Sequence, residues 1–498
     1  MKKLPAIITL LTLCALTLSA QPVKLQKNQN TTQLMLKGEP FIVLGGELAN
    51  SSASSAEYMD GRDSWRVLSE AGLNTVLAPV YWELIEPQEG KFDFSTVDYL
   101  LESARGHDLH LILLWFGTWK NSMSCYTPSW VKQGFGSRFQ LAQDKDGNVQ
   151  EIISAFCPNA LKADCKAFAA LMKHLREADG ETGTVLMVQV ENEIGLLGGA
   201  REFGKAAQKA WKKGKWKGDD IYEQEKFQAT YYARYAEAVA KAGKAEYDIP
   251  MYVNVALNSR GRKPGDYPAA GPLDHLSDIW KTEAPSIDLI SPDIYDPVFT
   301  EWIAKYAKPD NQLFIPEIQQ CPENAARVFY ALGRYGAIGF SPFSIDNNPQ
   351  PTAVAYRLLD RFLPLIAQKL SEGKAYGVIV SAENPQTEVT IKGVKFTCRH
   401  DGTISWCPVH NQTDKWGEGA FLILDLDDEG LLFLGTACVA TMTPADGKGH
   451  IGILSIDEVT DSSMHTLRRL NGDEDHQGRH LRIPYGSVEA QLLKVYKY

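Results

Sequence analysis

The sequence predicts an α/β chain: a (β/α)8 TIM barrel over residues 21–372, followed by a smaller all-β domain over 373–498 and preceded by a signal peptide over 1–20. Three observations predict this. From residue 41 onward, short apolar runs alternate with amphipathic helical stretches, the pattern of βα units. The runs at 41–46, 75–80, 110–116, 185–190, 251–255, 289–295, 312–316 and 337–343 make eight, the number that closes a parallel barrel. After about residue 372 the helical stretches give way to short β-rich runs separated by Gly, Asp and Asn.

At the N-terminus, Lys2 and Lys3 precede an apolar run from Leu4 to Leu18 and then Ser19-Ala20. A basic start, a run of this length and small residues before a polar one make a secretory signal cleaved near Ala20. The run is short for a bilayer span, and a retained anchor is the rival reading. No later segment is apolar enough to cross a membrane, so the expected product is exported: periplasmic, cell-surface or extracellular. With 51 Lys plus Arg against 61 Asp plus Glu, the chain carries a net charge of −10. That balance argues against nucleic acid as a partner.

Between the apolar runs, Val97, Leu100, Leu101 and Ala104 recur at helical spacing, and Ser95 with Asp98 has the form of a capping box. Similar stripes occupy 160–178, 221–242, 323–334 and 353–370. The segments after the second and third strands, 81–94 and 117–159, are aromatic, polar and too long for tight turns. Barrels carry their chemistry on such loops. A Lys-rich loop from Lys205 to Lys217, with Trp211 and Trp216, follows the fourth strand; it reads as a solvated face, with a lid or a contact to an acidic glycan as the alternative.

In the C-terminal part, runs at 376–380, 388–392, 394–398, 403–407, 419–426 and 431–440 predict strands. Cys398 and Cys407 flank the turn at Asp401-Gly402 and are placed to face each other on a hairpin, or are simply buried thiols. The seven cysteines beyond Cys14 form no paired Cys-x-x-Cys or His spacing, so neither a disulfide nor structural zinc is assigned.

The chemistry lies at strand ends. The fourth strand runs into Glu191-Asn192-Glu193-Ile194-Gly195, and the seventh ends at Pro316-Glu317. In a barrel both sites lie on the rim at the C-terminal ends of the strands. Two carboxylates on one rim suit glycoside cleavage: the leaving oxygen needs a proton while positive charge builds at the anomeric carbon. A single strand-end Glu more often caps a helix or pairs with Arg, but two on one mouth, with aromatic loops between, make Glu193 and Glu317 the catalytic candidates. Glu191 reads as structural.

These motifs resemble those of clan A glycoside hydrolases, and within the clan a divergent branch of glycoside hydrolase family 35, the β-galactosidases with a C-terminal β domain. The resemblance rests on Gly45-Gly46-Glu47, on Tyr81-Trp82-Glu83-Leu84-Ile85-Glu86-Pro87 with Gly90-Lys91-Phe92-Asp93-Phe94, and on Val190-Glu191-Asn192-Glu193-Ile194-Gly195. It implies that Glu193 is the acid/base, Asn192 holds the sugar 2-hydroxyl and Glu317 is the nucleophile of a retaining, exo-acting β-galactosidase. The chain departs from the family at Glu83 and Ile85, where Asn and His are usual, and at 113–121, where an Ile-Cys-Ala-Glu-Trp stretch is common.

Further expected sugar contacts are Trp82, Trp115, Trp119, Asn121 and Tyr295, with Glu47 as a hydroxyl acceptor or the partner of a buried Arg. For the tryptophans, core packing is the rival role. Tyr295 is placed to donate its hydroxyl to the nucleophile. Asp293, Asp296 and Asp346 lack a calcium-loop spacing, and double displacement needs neither metal nor cofactor. The expected partner is an oligo- or polysaccharide. The rival functions are another clan A activity, such as β-glucosidase, β-mannosidase or α-L-arabinosidase, and a carbohydrate-binding barrel without catalysis.

Overall fold

All eight apolar runs pair edge to edge in chain order and close on themselves. In the computed structural model, which describes residues 23–498 apart from 215, 217, 259 and 474, they are β1 (Val43–Glu47), β2 (Thr75–Tyr81), β3 (His110–Phe116), β4 (Val185–Gln189), β5 (Met251–Ala256), β6 (Leu289–Ile294), β7 (Ile315–Ile318) and β8 (Gly339–Pro342). Every neighbouring pair is parallel, and β8 returns to β1. Helices outside and packed side chains inside bury both faces of each strand, so the strands read as continuous apolar runs rather than alternating ones. The expected signal peptide lies outside the described residues. Among those residues, no helix is long and apolar enough to cross a membrane.

The helical stripes form α1 (Ser95–Gly106), α2 (Pro158–Asp179), α3 (Lys205–Lys213), α4 (Ile221–Lys244) and α5 (Asn324–Tyr335). Some local expectations are corrected. The capping box does not form: Ser95 is already inside α1, its N–H donates to Asp93 Oδ1 at 2.9 Å, and Asp98 bonds His174 Nε2 at 2.7 Å. The stripe at 353–370 is two helices, Gln350–Asp360 and Leu363–Ser371, because Pro364 opens the second and cannot continue the first. Most of the Lys-rich loop is the helix α3, and Trp211 and Trp216 pack edge-on against Phe227 of α4, with centroids 5.0 and 5.7 Å away.

The C-terminal part is an antiparallel sheet of β9 (Ala375–Val380), β10 (Gln386–Ile391), β11 (Val394–His400), β12 (Gly419–Asp425), β13 (Leu431–Pro444), β14 (Ile451–Val459), β15 (Thr466–Arg469) and β16 (His480–Lys497). The last three lie beyond the runs that predict strands in the sequence. The run at 403–407 is not a strand either. A short 3-10 turn at Asp401–Thr403 interrupts it, and the buried Asp401 carboxylate takes two bonds from Arg482 at 2.6 and 3.1 Å. Cys398 and Cys407 therefore do not face each other: Cys398 packs near Cys438, Cys407 with Ile404 and Trp416, and all seven described cysteines are free thiols.

Alternation along β12 joins the two parts. Ala420, Leu422 and Leu424 belong to the barrel's core, whereas Phe421 and Ile423 fill the sheet's other face. Gly333 of α5 meets Gly377 of β9 backbone to backbone: a Cβ on Gly333 would stand 2.6 Å from Tyr376 O, and one on Gly377 would stand 2.4 Å from Arg334 N. Arg327 of α5 also grips Glu418 with bonds of 2.8 and 3.1 Å.

Candidate active site

The carboxylates converge at the C-terminal mouth of the barrel. Glu47 ends β1, Glu193 follows β4, Asp293 lies on β6 and Glu317 on β7, the last two in register as direct parallel partners. One oxygen from each of Glu193, Asp293 and Glu317 lies within 4.8 Å of the others. The structure thus brings together the two residues that the sequence singled out and adds Asp293, which it did not.

The turn that delivers Glu193 is a strained one. Glu191 and Glu193 have φ of 61° and 45°, a left-handed conformation costing side-chain-bearing residues on the order of 1 kcal/mol or more each. Surrounding bonds hold it. The Gln189 amide donates to Glu191 O at 3.0 Å, Asn192 N to Trp119 O at 3.2 Å, Ser122 N to Glu193 O at 3.2 Å, and Glu193 N to Asn254 Oδ1 at 2.8 Å. Asn254 Nδ2 donates in turn to Asp293 Oδ2 at 2.7 Å, so one amide from β5 ties two of the three carboxyl-bearing segments.

Electrostatics follow from burial. Glu317 is pushed up to about 7 by burial and by the neighbouring Glu193 charge, opposed by Lys120 and by the Tyr295 hydroxyl, which donates to Glu317 Oε1. Burial, with the Glu317 charge next, holds Glu47 and Asp293 well above the usual carboxylate range, which favours their neutral forms. The same two causes raise the Tyr295 hydroxyl. Lys120 is the cation of the mouth: 6 % exposed, bonded through Nζ to Asn121 Oδ1 at 2.6 Å and seated over the Phe116 ring at 4.9 Å.

Among the expected sugar contacts, Asn192 is buried with both side-chain amide atoms unpartnered among the described residues, and so are both Glu47 oxygens, which have no Arg partner there. Asp293 Oδ1 and Glu317 Oε2 are likewise free to bond a ligand. Asn121 is exposed at the rim, and Tyr295 is 45 % exposed. The three tryptophans are corrections. Trp82, Trp115 and Trp119 are fully buried, and their indole N–H groups are spent on Glu86 Oε2 (3.0 Å), Asp164 Oδ1 (2.9 Å) and Ile153 O (3.1 Å). They hold the loops from behind; no ring face is open to a sugar. Glu191 also stands behind the mouth, buried and accepting Trp119 N–H at 2.7 Å.

An oxygen trio like that of Glu193, Asp293 and Glu317 has the donor type of a hard-cation site. Here Asp293 is committed to Asn254 and Glu317 to Tyr295, and burial favours their protonated forms, so the set is suited to moving protons.

Comparison with known proteins adds likenesses over parts of the chain. Residues 352–482 match a domain of unknown function. A β-galactosidase of Xanthomonas manihotis is 30% identical over 173 residues, 33% of this chain and 25% of that protein, so the chain spans about a quarter of the length of the curated relative it matches. Solved structures similar to part of the chain include a β-galactosidase from the psychrophilic Marinomonas ef1 (12% identity, TM-score 0.49, 66% of this chain and 62% of that one) and the catalytic domain of a β-amylase from Paenibacillus polymyxa (13% identity, TM-score 0.46, 66% and 97%). Residues 56–235, which contain Glu193 but not Glu317, match the glycoside hydrolase 42 family, described as beta-galactosidase, so the resemblance to glycoside hydrolases is supported over that segment, and the narrower likeness to family 35 is not carried over.

Proposed function

We propose that the protein is an exported, exo-acting retaining β-galactosidase. The observation that carries this reading is the approach of Glu193 and Glu317 oxygens to within 4.8 Å across one barrel mouth. Direct attack by a carboxylate calls for carboxyl groups about 5–5.5 Å apart, whereas an intervening water needs about 6.5–9.5 Å. In the first step the Glu317 carboxylate attacks the anomeric carbon while the Glu193 carboxyl gives its proton to the leaving oxygen. The galactosyl–Glu317 ester is then hydrolysed by a water that yields its proton to Glu193, so the configuration is retained and both groups are restored.

The neighbouring groups fit these roles. Tyr295 and Lys120 favour the ionised Glu317 that attack requires, and Asn192 and Glu47 offer unpartnered polar atoms to sugar hydroxyls. Galactose as the sugar is supported by the family match over residues 56–235, and export by the leader-like residues 1–20.

Initial rates on nitrophenyl β-galactoside, β-glucoside, β-mannoside, β-xyloside and α-L-arabinoside test the sugar, and proton NMR of the first-formed anomer tests retention. A dominant β-galactoside rate with β-galactose released first is the expected result. Release of α-galactose would overturn the retaining mechanism, and another dominant glycoside the galactose assignment. N-terminal sequencing of the exported protein tests cleavage near Ala20.

A further inference from the structure

We propose that a cavity on the Glu193 side of the mouth binds the leaving group of the substrate, taking a neutral sugar unit next to the scissile bond. This rests on the proposed function, since a leaving group presupposes the cleavage. The cavity has a volume of about 360 Å³ and is walled by 143–150, 196–203 and 264–266, loops that follow the consecutive strands β3, β4 and β5. It therefore lies on the same rim as the carboxylates.

Its position relative to the acid follows from the chain. A general acid stands beside the oxygen it protonates, so the departing sugar lies on the Glu193 side. From Glu193 the backbone runs through Ile194 and Gly195 to Leu196, which exchanges both backbone hydrogen bonds with Ala269 (2.8 and 2.9 Å), and then directly into the cavity wall at Leu197–Arg201.

The polar groups in this wall are prepared for a ligand. Arg201 is 7 % exposed, and its guanidinium lies 3.8 Å from the Phe203 ring centroid and 4.3 Å from that of Trp211. Its Nη1 reaches Glu202 O at 3.2 Å and Gln208 Oε1 at 3.5 Å, yet its Nε has no partner, and among the described residues no carboxylate pairs with it. A buried unpaired donor is costly, so a stacked, oriented guanidinium beside a cavity has hydrogen-bonding capacity to offer. Gln143 and Gln224 line the same cavity, and their amides make no hydrogen bond among the described residues. Planar guanidinium and amide groups can meet neighbouring hydroxyls in pairs, the pattern a pyranose presents. Two basic side chains, Lys145 and Arg201, face three acidic ones in the lining, so the site suits a neutral sugar rather than an acidic one.

The test compares kcat/KM on nitrophenyl β-galactoside, whose leaving group is not a sugar, with kcat/KM on lactose and β-1,4-galactotriose, for the wild type, Gln224→Ala and Arg201→Lys. Loss of one good hydrogen bond corresponds to about three- to tenfold. The expected result is a loss of that order on the oligosaccharides with the aryl rate unchanged. Equal losses on both substrate types, or no loss on either, would overturn the proposal. The second readout is calorimetric titration of the wild type and Gln224→Ala with β-1,4-galactobiose, the leaving group of the trisaccharide. Binding that weakens in the variant supports the cavity even where no glycoside is turned over, an outcome that would sink the proposed activity alone; binding that is absent or unchanged overturns the cavity.

Discussion

The Tyr295 hydroxyl donates to Glu317 Oε1, so the side chain just past β6 favours the ionised form of the one on β7. A hydroxyl proton aimed at a carboxylate stabilises the ionised form and opposes the burial that raises this group. Tyr295→Phe removes the donor and leaves the ring. Hydrogen bonds to charged groups are worth about 1.5–3 kcal/mol, or roughly 10- to 150-fold. The expected outcome is a loss of that order in kcat/KM on nitrophenyl β-galactoside, with the acid limb of the pH profile moved to higher pH. An unmoved limb would show that Tyr295 does not tune Glu317.

Lys120 acts on the same group through charge alone. Its ammonium favours the ionised forms of both Glu317 and Glu47. Lys120→Met should leave Glu317 protonated to still higher pH. The acid limb of kcat/KM then moves upward from near 7, and Lys120→Arg restores part of the shift. Identical limbs in Lys120→Met and the wild type would remove Lys120 from the machinery, whatever happened to the rate.

The convergence of Glu193 and Glu317 on one mouth is legible in the sequence because both stand at strand ends. Eight apolar runs gave the ring order, and an Asn-Glu and a Pro-Glu at two of their ends gave Glu193 and Glu317. Tyr295 was found for the same reason. What stayed hidden depends on which way a side chain turns. Trp115 and Trp119 sit where sugar-stacking residues are expected, but α2 and α4 cover them, and only the buried Asp164 bond and the contacts with Tyr232 and Tyr235 reveal it. Asp293 and Asn254 lie inside apolar runs rather than past their ends, and their signal is a polar side chain within a buried strand. Strand β15 is exposed along its whole length and reads like a loop, whereas β14 and β16 mix buried apolar residues with charged ones and show no clean period-two alternation.

Asn254 is the residue whose importance the sequence did not announce. Its amide bonds Glu193 N and Asp293 Oδ2, and so holds the strained Glu193 turn against the neighbouring strands. Asn254→Ala leaves the half-buried Glu193 N–H and the buried Asp293 Oδ2 without partners, the second at a cost of about 1–3 kcal/mol. A fall in kcat of at least tenfold with a lowered melting temperature is expected, and Asn254→Asp should not rescue it because a second carboxylate would face Asp293. Wild-type kcat in the alanine variant would show that the turn holds itself.

Glu191 allows a stability test that leaves Glu193 and Glu317 in place. It is fully buried, and burial together with the adjacent Asp164 charge raises it well above 4.5. In the unfolded chain it ionises near the ordinary glutamate value, about 4.3. Between those two values the unfolded state has released a proton that the native state keeps, so native stability falls as pH rises, by up to about 1.4 kcal/mol per pH unit for this one group. Below about pH 4 both states are protonated and the group contributes no slope. Glu191→Gln has no proton to lose and can still accept the Trp119 N–H through its amide oxygen. Thermal unfolding followed by circular dichroism should give similar melting temperatures for variant and wild type near pH 4.5, with the variant increasingly ahead toward pH 8. Parallel curves across that range would mean that Glu191 is ionised in the folded protein and that its burial is offset by partners other than a proton.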